Sequence, residues 1–298
     1  MTANEAVKQF VAKDSVVGIG GQTTGRSSMV LAHEIVRQGI SNLTLVGCSM
    51  SVSMDLIVGA GLANKTECGT GNVEMFGTTF AWRRAIEQGK LVSKDYSHLS
   101  MGLRFLAGSL GIPFIPIKSM LGTDLLEQRS EKESKDIVIS EDPWNPNTPV
   151  VLLKALSPDV SIIHAQLSDE TGNVVIEGFT THDVEMAKAS KRVIISCEKI
   201  IASDEIRRRS DRTTIPYLYV DAVIEQPWGA YPTSCYRYYE HDSAHFRHYQ
   251  SCAKDGGNKY EEYLNLYIRG TRDFNEFLSK ASNAKDLINL QKSMQELV

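Results

Sequence analysis

GIGGQTTGR, residues 18–26, is the stretch that sets the reading of this chain. The apolar run Ser15-Val16-Val17 leads into it, and a helical pattern from Ser28 to Gln38 leads out. Gly18, Gly20 and Gly21 fall within one short turn, so the backbone bends tightly and a neighbour approaches with no Cβ in the way. A glycine turn between a strand and a helix start leaves N–H groups and a partial positive charge at one point, which suits an anionic or carbonyl ligand. The spacing is GxGGxxxG, not the dinucleotide pattern GxGxxG. No acidic residue at a second strand end stands where a ribose partner belongs.

Outward from this turn, strand and helix signals alternate. Val16 to Gly20 reads as a buried strand and Met29 to Arg37 as a helix ended by Gly39. Leu43 to Val46 is the next strand, and Val52 to Val58 a short helix stopped by Gly59 and Gly61. Lys65 to Cys68 is a short strand, and Thr79 to Glu87 and Met101 to Leu110 are helices. Repeated βα units predict a mostly parallel sheet covered by helices, an α/β fold. Residues 118–148 break the rhythm: they are charged, Pro-rich and read as a long irregular excursion, a binding loop or a partner contact. Strands return at Val150 to Leu156 and Val160 to Ala165, and Asp169 to Asn173 turns into Val174-Val175-Ile176 as a hairpin would. Val184 to Ala189 is helical; Val193 to Cys197 and Tyr219 to Ile224 are strands. No boundary signal precedes Asp242, so residues 1–298 read as one domain with 242–298 as a polar, helical C-terminal tail.

The length, 298 residues, suffices for such a domain, and 42% hydrophobic with 23% charged content is that of a globular chain. A net charge of −4, with Lys and Arg spread along the chain and no basic block, argues against nucleic acid as a partner. Cys48, Cys68, Cys197, Cys235 and Cys252 have no CxxC spacing and are odd in number, which predicts buried reduced thiols in a cytoplasmic protein. The N-terminal helix has no apolar core of a leader, and no run reaches the roughly 18 apolar residues of a membrane span.

Other stretches carry polar groups at strand or helix ends. Gly69, Gly71 and Asn72 expose backbone after one strand, and Ser49 follows another; each is a ligand position or a plain turn. Ser97 or Ser100 is a natural N-cap for the helix that follows Asp95-Tyr96-Ser97-His98, which puts His98 near a helix N-terminus. His241, His245 and His248 share a helix face, as metal ligands or as a solvated or interfacial face; the second reading is preferred, and no metal is expected. Pro227 to Pro232 reads either as a wall for a long ligand arm or partner contact, or as a rigid loop packing Trp228.

Several blocks, in order, resemble one family. After GIGGQTTGR come Leu31 to Gly47, DLIVGAG (Asp55 to Gly61), Asp95 to Pro116, and LGTDL (Leu121 to Leu125). Leu156 to Gly178 and Val220 to Asp242 complete the set. The chain resembles the α subunit of class I CoA-transferases, nearest the glutaconate CoA-transferase type. The resemblance implies an open α/β sandwich shared with ribose-5-phosphate isomerase. It implies ping-pong transfer of CoA from an acyl-CoA to a free, dicarboxylic or short acid, with CoA as substrate and no bound cofactor. The nucleophilic glutamate, which forms an acyl anhydride and then a glutamyl-CoA thioester, lies on a separate β subunit in a heterodimer or α2β2 assembly. No catalytic residue is therefore expected in this chain.

On this resemblance Gly20, Gly21, Gln22 and Thr23 border the acyl or carboxylate pocket, with N–H groups near a developing oxyanion. Arg26 either pairs with a substrate carboxylate or lies on the surface. Ser49, Gly71, Asn72, Ser97 and His98 face the same site. A hydrolase branch carries an acidic residue where this chain has His98, which weighs against hydrolysis. Glu177-Gly178 matches the pair that carries the nucleophile in the β-type half, but the strand it closes is structural in the family's α-type chains. Hydrolase or decarboxylase chemistry on the same scaffold, or a non-enzymatic metabolite-binding module, are the alternatives.

Overall fold

The computed structural model describes residues 1–127 and 136–297. In the first half β1 (Val16–Ile19), β2 (Leu43–Met50), β3 (Ala63–Gly71) and β4 (Val92–Asp95) alternate with α1 (Ala3–Phe10), α2 (Met29–Gln38), α3 (Val52–Gly59) and α4 (Phe80–Glu87). α5 (His98–Ser109), β5 (Phe114–Ile117), α6 (Asp124–Glu127), β6 (Ile137–Asp142) and β7 (Asn145–Lys154) follow. The chain then returns through β8 (Val160–Asp169), β9 (Val174–Val175), α7 (Asp183–Ala189), β10 (Val193–Ile201), α8 (Ser203–Arg207) and β11 (Ala222–Glu225). α9 (Ser243–Asp255), α10 (Gly257–Leu264), α11 (Phe274–Ala281) and α12 (Ala284–Leu297) close it.

The main sheet runs β11-β10-β8-β1-β2-β3-β4, parallel throughout, with β9 pairing antiparallel to β8. Side chains on a strand alternate between faces. Leu45, Ile162 and Ile194 enter one apolar layer, and their neighbours Val46, Ile163 and Ile195 the other. Both faces are buried, which is why these strands read as continuous apolar runs. α2, α3 and α4 cover the first face; α5, α7 and the small antiparallel sheet β5-β7-β6 supply Met101, Phe105, Met186, Val151 and Leu153 to the second.

Three expectations change. The irregular excursion contains a β6–β7 hairpin, with Asp142-Pro143-Trp144-Asn145 at its turn and Trp144 exposed at the tip. Residues 128–135 of that excursion lie outside the described residues. α5 starts at His98 rather than Met101, because Ser97 and not Ser100 is its N-cap: the Ser97 hydroxyl accepts the Ser100 N–H at 3.0 Å. The polar tail is a clasp. Phe246, Tyr249, Tyr260, Tyr263 and Phe277 are buried with α2 and α3 in the first layer, so α9 to α11 belong to the core. Asp242 starts the clasp by accepting the N–H groups of Ala244 and His245.

Asp55 ties the clasp to the sheet layer. Its carboxylate accepts the Tyr249 hydroxyl at 2.6 Å and the Trp82 N–H at 2.7 Å. Burial pushes its pKa from an ordinary 3.8 up to about 6, against the opposing pull of those hydrogen bonds. The folded chain therefore binds this proton more tightly than the unfolded chain, so its contribution to stability is lost as pH rises through that window. Relative to an Asp55→Asn variant, the wild type is expected to lose about 2 kcal/mol between pH 4 and pH 7, read by urea unfolding at both pH values.

Candidate active site

β1 sits mid-sheet: the chain first builds outward through β2, β3 and β4, then returns on its other side through β8, β10 and β11. The order reverses between β1 and β8, and ligands of open α/β sheets bind beyond the strand C-termini at such a switch point. Gly20 to Arg26 leaves β1 at this place. Asp183, at the start of α7, reaches it from the β8 side.

The glycine turn is organised by close approach. A Cβ on Gly20 would stand 2.9 Å from Ile163 Cγ1, and one on Gly21, at φ +86°, would stand 2.4 Å from the Arg26 carbonyl oxygen. Its N–H groups are not free, which corrects the oxyanion expectation. The Gly20 N–H goes to Ile162 O, that of Gly21 to Asp183 Oδ1 (3.1 Å), that of Gln22 to Gly25 O and that of Thr23 to Ser49 O. Val30, in the first turn of α2, donates to Gly229 O. The turn is a self-satisfied scaffold that presents side chains rather than amides.

Arg26 is neither on the surface nor a free clamp. It is 5% exposed, and its guanidinium pairs with the buried Asp183 at 2.6 Å. It also donates to the His164 carbonyl at 2.7 Å and the Phe179 carbonyl at 3.2 Å. With Gly21 also bonded to Asp183, the pair pins the turn, β8 and the segment before α7 to one another. Sequence reasoning missed Asp183. The signal was present as an acidic residue immediately before a predicted helix, though nothing in sequence linked it to a glycine 162 residues away.

Other expected residues divide into two groups. The Ser49 hydroxyl lies 3.3 Å from His98 Nε2, and the exposed His98 packs edge-on against Gly69, where a Cβ would stand 2.4 Å from His98 Cδ2. Ser49 also accepts the Thr23 N–H through its carbonyl, so these two residues flank the turn. Asn72 orders the next loop by accepting the Glu74 N–H at 3.0 Å, and Glu74 accepts the hydroxyls of Thr23 and Thr24. Gly71 backs that loop, its carbonyl accepting the Thr79 hydroxyl. Ser97 faces elsewhere: its hydroxyl meets Ser100 and Ser119 and serves the helix.

The turn forms one wall of an open hollow of about 260 Å³. Gln22, Thr23 and Arg26 line it together with Glu74, Gln166, Glu177 and Tyr236. The last four were not expected there. Gln166 holds the Glu177 backbone by both its N–H and its carbonyl (3.0 and 3.1 Å), and the Glu177 carboxylate pairs with Arg237 at 3.1 Å.

Beneath the hollow lies a buried hub. His164 Nδ1 meets the Ser196 hydroxyl at 2.9 Å and Nε2 meets Glu198 at 2.8 Å. Glu198 also accepts the Tyr239 hydroxyl and the Trp228 N–H. Donor atoms of His164, Glu198 and Cys235 lie within 4.8 Å of one another, but those of His164 and Glu198 are already engaged, so the cluster is a hydrogen-bond hub. It fixes the Pro227 to Pro232 loop, whose Trp228 stacks on Tyr239 at 4.2 Å as the packing reading expected. The three histidines take different partners. His241 bonds Glu240 before the helix, His245 is buried against the Tyr263 hydroxyl at 2.8 Å, and His248 packs on Tyr263 and Tyr267. The solvated-face reading thus fails for His245. All five thiols are buried, and burial pushes Cys48, Cys68 and Cys197 up to about 12, leaving them protonated.

A coenzyme A transferase family pattern matches residues 1–226, and the chain belongs to that family. One of its relatives, the A-type chain of glutaconate CoA-transferase from Acidaminococcus fermentans, is 32% identical over 98% of this chain and 94% of its own. The crystal structure of glutaconate CoA-transferase from that organism superposes with a TM-score of 0.92 at 31% identity, over 97% of this chain and 94% of that one. The fold is therefore the CoA-transferase α/β sandwich, with a mostly parallel sheet, flanking helices and C-terminal helices. The A-type chain of 3-oxoadipate CoA-transferase from Pseudomonas knackmussii is 31% identical over 96% of this chain and 99% of its own. A protein of Archaeoglobus fulgidus is 36% identical over 99% of this chain, which spans 65% of that protein. Among the described residues, no helix is long and apolar enough to cross a membrane.

Proposed function

We propose that this chain is the α subunit of a two-subunit cytoplasmic CoA-transferase, and that its 298 residues act as one unit. It moves CoA between an acyl-CoA and a free short or dicarboxylic acid. A β subunit, in a heterodimer or α2β2 assembly, supplies the nucleophilic glutamate. CoA is substrate rather than bound cofactor. The observation that carries this reading is the near full-length likeness to the A-type chain of glutaconate CoA-transferase. The one-sided site supports it. A polar hollow opens at the switch point, and the two carboxylates on its wall, Glu74 and Glu177, are engaged by hydroxyls and by Arg237.

In this reading the partner's glutamate attacks the thioester carbon and displaces CoA thiolate. The thiolate then attacks the resulting anhydride and releases the first acid, leaving the glutamyl-CoA thioester. The acceptor carboxylate and a second thiolate attack complete the exchange. This chain supplies Gln22, the Thr23 hydroxyl, Asn72 and the Ser49–His98 pair as polar positioning groups, while Arg26 and Asp183 hold the turn. Hydrolysis is disfavoured because His98 stands where that branch carries an acidic residue. A metabolite-binding module predicts tight acid binding with no turnover in the complex.

Assay of the assembled complex with an acyl-CoA and a panel of mono- and dicarboxylates tests the reading: acid-dependent formation of a new acyl-CoA supports it, and free CoA release alone selects the hydrolase. His98→Ala is expected to raise the KM for the acceptor acid about tenfold, the size of one lost hydrogen bond to a charged group, with a smaller change in kcat.

A further inference from the structure

His33, on α2, is a polar side chain with nothing polar to meet. It is 0% exposed, and among the described residues neither ring nitrogen has a hydrogen-bond partner. Buried polar atoms left unpartnered are costly and rare. The ring lies against two buried phenylalanines of α11, edge-on to both: its centroid is 5.2 Å from that of Phe274 and 4.4 Å from that of Phe277. Phe277 also meets a second imidazole. His245 of α9 lies 5.7 Å from the same ring and shares a hydrogen bond with the Tyr263 hydroxyl. α11 therefore rests on two buried histidines, one from the layer that covers the sheet and one from the clasp.

The charged groups around them leave His33 without a counter-ion. On α2, Arg37 pairs with Glu34, which also accepts Asn4 of α1 and Gln38. The α1 charges Glu5 and Lys8 are exposed, and Asp55 of α3 is bonded to Tyr249 and Trp82. On α11, Asp273 caps the helix and Glu276 pairs with Arg272 and Lys280. His245 faces His248, the rings of Tyr231 and Tyr267, and Asp242, whose carboxylate caps α9 and accepts the Tyr231 hydroxyl. Burial holds the His33 pKa well below the ordinary 6.5, and the charges of Arg37 and His245 act in the same direction. Burial also lowers His245 to about 4, with Asp242 opposing and His248 adding to the shift.

Contacts lead from α11 to the glycine turn. Asn275 accepts the Gln226 amide at 2.9 Å, and Phe277 packs on Tyr231 at 5.9 Å. Farther along that loop, the Thr233 hydroxyl accepts the Ser27 N–H at 3.1 Å. The Ser234 carbonyl accepts the Arg26 N–H at 2.7 Å, and the Ser234 N–H donates to the Thr24 carbonyl at 2.8 Å. We infer that α11 is an acid-released latch: protonation of His33, with His245 behind it, expels Phe274 and Phe277 and frees residues 226–234, which brace the glycine turn. The closed latch binds these protons less tightly than the open one. Its stability is intact above about pH 6.5 and is lost as pH falls below that value. Asp55 acts in the opposite sense at α9, because its raised pKa favours the folded tie in acid, so release is confined to α11. The latch goes beyond the transferase reading and does not depend on it.

Hydrogen–deuterium exchange of the assembled complex at pH 7.5 and pH 5.5, read as protection factors, tests this without turnover. In wild type, protection of residues 271–282 is expected to fall about tenfold for each histidine that only the open form protonates. Residues 226–234 are expected to lose protection with them, while β8 and β10 keep theirs. His33→Leu, and independently His33→Met, is expected to abolish about tenfold of the loss at α11. Unchanged wild-type protection of α11 overturns the inference whether or not either variant folds. An equal loss in wild type and variant also overturns it, as does a loss at α11 that leaves residues 226–234 protected. Acid release of α11 in a complex that transfers CoA to no acid leaves the latch standing and overturns the transferase reading instead.

Discussion

Asp183→Ala is expected to lower the folding stability of this chain by about 3–5 kcal/mol and to cut the kcat/KM of the assembled enzyme by about a hundredfold. Asp183 is 2% exposed and Arg26 5%, so removing the carboxylate leaves a guanidinium buried without its counter-ion. The Gly21 N–H loses its acceptor at the same time. The turn positions Gln22 and Thr23, so its relaxation displaces the groups proposed to hold substrate. A double replacement, Arg26→Met with Asp183→Leu, removes both charges and is expected to recover part of the stability that the single variant loses. Urea unfolding of the four chains in a double-mutant cycle reads the coupling directly. A single variant as stable as wild type would show that the pair does not organise the turn.

The second large effect concerns chemistry. This chain alone is expected to show no CoA transfer above background, and addition of its β subunit to restore turnover fully. The hollow is open on one side, and its two wall carboxylates are held by Thr23, Thr24 and Arg237. Neither is proposed as the nucleophile. A complex carrying Glu177→Ala is accordingly expected still to form the covalent intermediate, with altered KM values because Arg237 loses its partner. Transfer by the lone chain, abolished by Glu177→Ala, would move the nucleophile into this sequence.

The parallel sheet was legible because strands buried on both faces read as apolar runs, and because the glycines after them mark turns. Gly39 and Gly61 both adopt the left-handed conformation where the sequence placed helix ends. The β6–β7 hairpin was not legible, because its exposed residues and prolines carry little alternation. The C-terminal helices were legible as helices, but the extent of their packing was not, for a related reason. Tyr260 and Tyr263 look polar in sequence, yet with Tyr249 they bury their rings while the three hydroxyls bond Asp55, one another and His245.

The site shows the same division. Gln22, Thr23 and Arg26 lie together because they are contiguous, and the Ser49–His98 contact follows from strand ends that share one side of the sheet. Asp183, Gln166 and Tyr236 come from strands and loops that only the return of the chain beside β1 brings in, so no local pattern announces them. The free amides expected of the turn were wrong for a physical reason: a buried N–H finds a partner, and here Asp183 and neighbouring carbonyls supply it.

The most direct measurement is mass spectrometry of the assembled complex incubated with acyl-CoA, with the trapped glutamyl-CoA adduct located by peptide mapping. The account predicts the adduct on a glutamate of the partner, with none on this chain. An adduct on Glu177, or on any other carboxylate of this sequence, would contradict it.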